Sequence, residues 1–445
     1  MTKLLHRKKH LTSFQMIILG FSFVILTGAL ILMLPISSKS GIITPFNKAL
    51  FTSTSAVCVT GLVVLDTASY WSGFGQFIIL LLIQIGGMGV ITVGVLLALL
   101  SGKKISLMQR NTMQESIGAP KVGGIVRLTS FIIKATFLFE LVGALVMMPV
   151  FCKDFGIKGI WMAIFHSISA FCNAGFDLMG TVEAPFSSLT AYMGNPVINI
   201  TIMLLIIIGG IGFYTWDDIR TNKYRWKRYR MQSKVIIVTT LVLLILPSIY
   251  FYCFESGGLS TSEKILSSLF QSVAPRTAGF NTVNLALFSG VGQCIVIVLM
   301  LIGGSPGSTA GGMKTTTIAV LFANAIAVFR RKEDTHFFGR RIDENVIKNA
   351  STILMLYLFL FVSGALIISA VEKIPLGTCM FEAASAMGTA GLTLGITSGL
   401  GIISQIILMI LMFFGRVGGL TLIYAAFSGI EKNFSRLPQE KITVG

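Results

Sequence analysis

The sequence predicts an all-α polytopic membrane protein made of four tandem repeats, and three observations carry that prediction. Of 445 residues, 54% are hydrophobic and 12% charged, with a mean hydropathy of +0.83. A soluble domain carries about 25% charged residues, so an ordinary globular enzyme and a disordered chain are both excluded. Second, long apolar stretches alternate with short ones. Third, a small-residue motif centred on glycine recurs four times.

Eight stretches reach the roughly 20 apolar residues that a spanning helix needs: 14–34, 77–100, 128–151, 197–216, 235–254, 291–328, 353–371 and 402–428. Four shorter segments, 46–57, 159–171, 261–274 and 375–387, have the length of re-entrant helices. The order long, short, long therefore repeats four times, giving eight transmembrane helices plus four re-entrant ones. Five polar segments (1–11, 101–127, 217–234, 330–348 and 431–445) hold 25 Lys/Arg against 9 Asp/Glu. That is nearly all of the chain's +17 charge. Basic residues clustered beside span ends mark the cytoplasmic side, so nucleic acid is not the expected partner. An even number of spans puts both termini in the cytoplasm. The N-terminal basic stretch runs into a long apolar span and reads as a retained helix rather than a cleaved signal.

Each short segment ends in a turn: VCVTGL, FCNAGF, RTAGFN and GTAGLT, centred on Gly61, Gly175, Gly279 and Gly391. Five residues before each glycine stands an alanine: Ala56, Ala170, Ala274 and Ala386. Six before stand Ser55, Ser169, Val273 and Ser385. A second glycine set follows, at Gly86-Gly87-Met88-Gly89, Gly209-Gly210-Ile211-Gly212, Gly303-Gly304 and Gly415-Arg416-Val417-Gly418-Gly419. The repeats are accordingly bounded at 1–120, 121–229, 230–341 and 342–445.

Backbone that leaves its helix at membrane depth persists only where protein or water covers its polar groups. Four such turns around a pseudo-fourfold axis would aim carbonyls at one central pore. A dehydrated cation needs that environment, with oxygen dipoles in place of water. Glycine allows the inward turn, and the negative ends of the short helices add attraction. For the second glycine set, close helix packing and a functional role stay equally open.

These turns resemble the Trk/Ktr/HKT potassium transporter superfamily, and within it the KtrB-type membrane subunits of bacterial Ktr systems. The likeness covers nearly the whole chain. It implies a selectivity filter of Val59-Thr60-Gly61, Asn173-Ala174-Gly175, Thr277-Ala278-Gly279 and Thr389-Ala390-Gly391. In plant relatives a serine at the first filter glycine accompanies sodium transport, so Gly61 favours K⁺. The resemblance further implies a homodimer in the bacterial plasma membrane and a cytosolic KtrA-type ring that binds adenine nucleotide. This chain itself carries no cofactor, and K⁺ at the filter is the only metal expected. Loops 101–127, 217–234 and 330–348 and the tail 431–445 would be the docking surface.

The later span of the third repeat is interrupted by Gly303, Gly304, Ser305, Pro306, Gly307, Ser308, Thr309, Ala310, Gly311, Gly312, Met313 and Lys314. Five glycines, a proline and hydroxyls cannot continue a regular helix. Met313 separates Gly312 from Lys314 and no strand precedes, so nucleotide binding there is improbable. The resemblance makes this an intramembrane gating loop; a buried kink is the other reading.

Four basic residues stand out as expected inside the bilayer, where a charge is expensive: Lys134, Arg276, Lys314 and Arg416. Arg276 is expected to pair with a buried acid, Glu382 being the candidate. Arg416 is either an electrostatic barrier in the permeation path or a paired interior charge. No role follows for Lys134 and Glu140. The four histidines are dispersed and the six cysteines form no CxxC, which argues against metal, redox or catalytic chemistry. The function expected is gated, channel-like K⁺ translocation. A Na⁺- or H⁺-coupled carrier is the alternative, disfavoured because carriers show inverted repeats and midplane acids.

Overall fold

The computed structural model describes residues 12–100, 107–117, 123–419, 421 and 423. The basic ends 1–11 and 431–445, and part of 101–127, lie outside the described residues. Four times the chain runs a long helix, a short helix, a non-helical segment and a further helix. The first passage comprises α1 (Ser13–Met33), α2 (Phe46–Val57), the single turn α3 (Thr67–Tyr70), α4 (Gly73–Met88), α5 (Val90–Leu100) and α6 (Leu107–Ile117). The second is α7 (Ile125–Phe155), α8 (Lys158–Phe171), α9 (Pro196–Ile211) and α10 (Phe213–Asn222). The third is α11 (Met231–Phe254), α12 (Thr261–Val273), α13 (Gly290–Leu301) and α14 (Thr315–Phe329). A hairpin of β1 (His336–Phe337) and β2 (Arg340–Arg341) then leads to α15 (Glu344–Glu372), α16 (Leu376–Gly388) and α17 (Ile402–Val417).

The four long helices α1, α7, α11 and α15 are each long and apolar enough to cross a membrane, while α4, α13, α14 and α17 are shorter apolar helices. The sequence predicts 197–216 as one span. Instead α9 and α10 meet at 96° across Gly212, whose φ is +99°. The ladder broken there is completed from outside: the Phe213 N–H donates to the Gly307 carbonyl at 2.7 Å. Glycines with positive φ also end α4, at Gly89, and α17, at Gly418.

Burial is arranged around the short helices. Phe51, Phe165, Phe270 and Phe381, one on each of α2, α8, α12 and α16, are fully buried. The long helices turn apolar side chains outward, as Phe23 on α1 and Met355 and Phe359 on α15, which are two-thirds exposed or more. Ordinary soluble proteins rarely present so much apolar surface; lipid is the solvent such a face suits.

Candidate ion-permeation site

Three of the short helices end in the same hydrogen-bonded motif. The N–H groups of Val59 and Thr60 return to the carbonyls of Ala56 and Ser55 at 3.2 and 2.8 Å. Asn173 and Ala174 return to Ala170 and Ser169, and Thr389 and Ala390 to Ala386 and Ser385, at 2.7–3.1 Å. This paired return is the Schellman termination. The alanine five before each glycine supplies one acceptor carbonyl, and in all four copies its side chain is fully buried. The third copy departs: Ala278 and Gly279 both donate to Ala274, after Pro275, which has no N–H.

A left-handed residue normally closes such a terminus, and glycine is the usual choice. Here Val59, Asn173, Thr277 and Thr389 take φ of 57°, 59°, 71° and 50°. Two residues later Gly61, Gly175, Gly279 and Gly391 are again positive, at 91°, 68°, 77° and 80°. Holding four non-glycine residues there costs on the order of 1 kcal/mol or more each, a strain that clusters at functional sites.

The four glycines close into a ring in chain order. A methyl carbon added to Gly61 would lie 2.6 Å from the Ala174 carbonyl oxygen and 3.0 Å from Gly175 Cα. On Gly175 it would lie 2.7 Å from Gly279 Cα and 2.8 Å from the Ala278 oxygen. On Gly279 it would lie 2.9 Å from the Ala390 oxygen, and on Gly391 it would meet the Thr60 oxygen, 3.0 Å from Gly61 Cα. Thus the carbonyls of Thr60, Ala174, Ala278 and Ala390 each abut the neighbouring glycine, and a side chain at any of the four would force its neighbour to shift, most of all at Gly391.

One layer below, the second glycine set packs. Methyl carbons on Gly86, Gly209 and Gly415 would collide with the carbonyl oxygens of Val57, Phe171 and Met387, each four residues before a ring glycine. Close approach thus accounts for these three. Gly303 differs, packing on Gly311 and Gly312 within its own loop.

Residues 302–314 are non-helical between α13 and α14, as the sequence predicts. The segment folds on itself through Gly303 N–H to Met313 O (2.8 Å), Gly304 N–H to Gly311 O (3.3 Å) and Lys314 Nζ to Ala310 O (2.9 Å). It binds its surroundings through Ser305 N–H to Gly210 O, Thr309 N–H to Gly209 O and Gly312 N–H to Gly415 O, at 3.0–3.2 Å. The Thr309 hydroxyl is shared between Phe171 O (3.0 Å) and Asn173 Oδ1 (3.2 Å). Asn173 in turn donates to Thr277 Oγ1 at 3.2 Å. A methyl on Gly311 would strike the Thr389 side chain. The loop therefore touches the ring-bearing segments of the second and fourth passages.

The Arg416 guanidinium donates to the carbonyls of Thr309 and Gly86 and, at 3.1 Å, to that of Gly87. It ties the loop to α4 without an acid. Arg276 and Glu382 are not brought together. The Glu382 carboxylate accepts from the hydroxyls of Thr393 and Thr397 and the Leu394 N–H, all in the segment that follows Gly391. Arg276 makes no ion pair among the described residues, and its Nε has no hydrogen-bond partner. The expected pairing is wrong because Glu382 is already saturated by its own passage. Glu140, unassigned from sequence, accepts from Gln84 Nε2 at 3.0 and 3.2 Å, linking α7 to α4. Lys134 is exposed on α7.

On the other side of the ring a vestibule of about 90 Å3 opens, lined by all four ring glycines. Its only ionisable lining residues, Asp66 and Asp177, escaped the sequence reading. Asp66 caps α3 through the Ser69 N–H (2.7 Å) and holds the Phe186 N–H (3.0 Å). Burial pushes the Asp177 carboxyl up to about 6, against the Met179 N–H and with the neighbouring Asp66 charge.

Comparison with known proteins follows this geometry. The family model described as "TrkH: Cation transport protein" matches residues 4–436. The chain is 39% identical to the potassium/sodium uptake protein NtpJ of Enterococcus hirae, over 98% of both proteins. It is 36% identical to Ktr system potassium uptake protein B of Bacillus subtilis, over 97% of this chain and 96% of that one. The crystal structure of the potassium transporter TrkH from Vibrio parahaemolyticus superposes with a TM-score of 0.75 at 20% identity, covering 95% of this chain and 86% of that one, and so shares the fold. The chain belongs to the TrkH family of cation transport proteins, membrane transporters and not enzymes.

Proposed function

We propose that this chain is the K⁺-translocating subunit of a bacterial uptake system, with channel-like permeation through the ring and gating at the loop 303–314. The observation that carries the reading is the closed ring of Gly61, Gly175, Gly279 and Gly391, with left-handed residues on alternate positions of every segment. That alternation turns successive carbonyls toward one axis, so oxygens stand in for a cation's hydration shell. Val59 to Gly61, Asn173 to Gly175, Thr277 to Gly279 and Thr389 to Gly391 form the filter. The partly negative ends of α2, α8, α12 and α16 face it and favour a cation.

The fold reads as eight transmembrane helices, with broken ones counted whole, plus four re-entrant pore helices. Repeats bounded at 1–120, 121–229, 230–341 and 342–445 surround the pore. Arg416 adds a positive charge on the loop's side of the filter, with Lys314 held inside the loop by the Ala310 carbonyl. Arg416 serves both as latch and as barrier: it holds Thr309 and Gly86, and its charge opposes a cation passing the loop. The names of the Ktr relatives support K⁺ and a multi-subunit system. The partner is then a cytosolic nucleotide-binding ring, docked on a homodimer whose termini are cytoplasmic. Na⁺-coupled uptake is the second reading, favoured by the potassium/sodium name of the Enterococcus relative.

The test is K⁺ and Na⁺ flux into proteoliposomes holding this chain alone, with Gly61→Ser and a deletion within 305–312 alongside. Selective K⁺ flux, Na⁺ entry through Gly61→Ser and faster flux after the deletion are the expected results. K⁺ flux that vanishes without an opposing Na⁺ or H⁺ gradient would replace the channel with the carrier.

A further inference from the structure

Between α11 and α14, at the end where α14 runs into the basic hairpin, a crevice of about 560 Å3 opens outward. Its walls are apolar: Val242 on α11 faces Ile318, Phe322 and Ile326 on α14. Ala319, Ala323 and Ala327, four residues apart on α14, leave a slot beside the larger side chains. Phe322 stays 67% exposed and Val242 46%, so no described residue fills the opening. The rim has a different chemistry. Arg330, Lys332 and His336 line it and are all exposed, and none makes an ion pair among the described residues. No acid lines the crevice; of the two carboxylates that follow Lys332, Asp334 is held by Arg341 at 3.0 Å and Glu333 is exposed outside the lining. The rim is also fixed to its wall, because Thr335 hydrogen-bonds Asn324 of α14 at 3.0 Å and Ile342 packs against Val320.

We infer that this crevice holds one anionic phospholipid of the cytoplasmic leaflet, an acyl chain in the alanine slot and the headgroup phosphate on Arg330 and Lys332. Charge complementarity selects the occupant. A slot with dry walls and a cationic mouth fits a molecule with a hydrocarbon tail and a negative head, and the cytoplasmic leaflet is the anionic one. A second copy of this chain suits it poorly, since a twofold interface would set the same cationic rim against itself. The site matters because α14 begins at Thr315, directly after the loop 303–314 ends. A lipid wedged against α14 would bear on the helix that leaves the proposed gate. That consequence and the choice of leaflet rest on the functional reading above, whereas lipid occupancy does not.

The test reads occupancy and not flux. Native mass spectrometry of the purified protein, incubated with phosphatidylglycerol or phosphatidylcholine, should show one phosphatidylglycerol retained preferentially. The preference should fall roughly five-fold for each cation removed in Arg330→Gln and Lys332→Gln. Ala323→Leu, which fills the slot and leaves the rim charged, should also lower retention. Equal retention of the two lipids by the wild type, or a preference unchanged in the double variant, would overturn the site. So would a disulfide between copies at Val242→Cys in a Cys253→Ser, Cys294→Ser background, since it would mean another protein chain covers the crevice.

Discussion

Two layers of this molecule, a few residues apart in every passage, follow opposite rules. The upper layer is a ring in which four segments contribute the same glycine, the same left-handed pattern and the same close contact with the next. In the layer below, the first, second and fourth passages offer a packing glycine to a carbonyl, and the third substitutes an entire loop. One arginine, Arg416, has no counterpart in the other copies. Equivalence suits a task in which oxygens must surround one small ion evenly. A switch needs an element with two arrangements, and one copy freed from its packing role can supply it. What the layers teach is where equality among the four passages is kept and where it is spent.

Breaking the ring should have the largest effect. Gly391→Ala places a methyl against the Thr60 carbonyl at a φ of +80° that non-glycine residues adopt at a cost. Flux in proteoliposomes should drop to that of empty liposomes. In the lower layer Gly415→Ala meets the Met387 carbonyl just as directly, yet at a helical position. It should lower thermal stability while leaving K⁺ over Na⁺ preference intact in the fraction that still folds. Loss of selectivity in Gly415→Ala would erase the distinction between the layers.

The asymmetric layer is probed next at Arg416. A hydrogen bond to a charged group contributes about 1.5–3 kcal/mol, so removing the latch should raise the open-state population, and with it the flux, about ten-fold or more. Arg416→Gln removes both latch and charge. Arg416→Lys keeps the charge but cannot span Thr309, Gly86 and Gly87 together. Fast flux in both variants assigns the effect to the latch; fast flux only in Arg416→Gln assigns it to the barrier.

The ring was legible in the sequence because its requirement is steric: φ is positive and neighbours approach too closely for a Cβ, so glycine recurs in register. The broken third repeat was legible because five glycines and a proline cannot hide in a helix. Side-chain partnerships were not. Glu382, the candidate partner of Arg276, is instead engaged by Thr393, Leu394 and Thr397. Glu382→Gln and Arg276→Gln should therefore be additive in thermal stability, with a coupling below about 0.5 kcal/mol. A larger coupling would restore the pair. The bend at Gly212 was equally hidden, since its missing hydrogen bond is made by Gly307, almost a hundred residues away.

The smallest expected effect lies at the vestibule, where the equal ring meets unequal loops. Asp66 stands five residues after its ring glycine and Asp177 two, so no repeat pattern could have flagged them. Burial raises the Asp177 carboxyl to about 6, with the Asp66 charge adding to the rise. It is charged at pH 7 and becomes neutral as pH falls through that value, which removes one of two negative charges from the mouth. Cation entry should then weaken on acidification of the vestibule side from pH 7 to 5, by roughly two- to three-fold at low salt and less at high salt. Asp177→Asn should show the lower flux at both pH values and lose most of the dependence. If it keeps the wild-type pH profile, the titrating group lies elsewhere and the vestibule charge is not what draws cations to the ring.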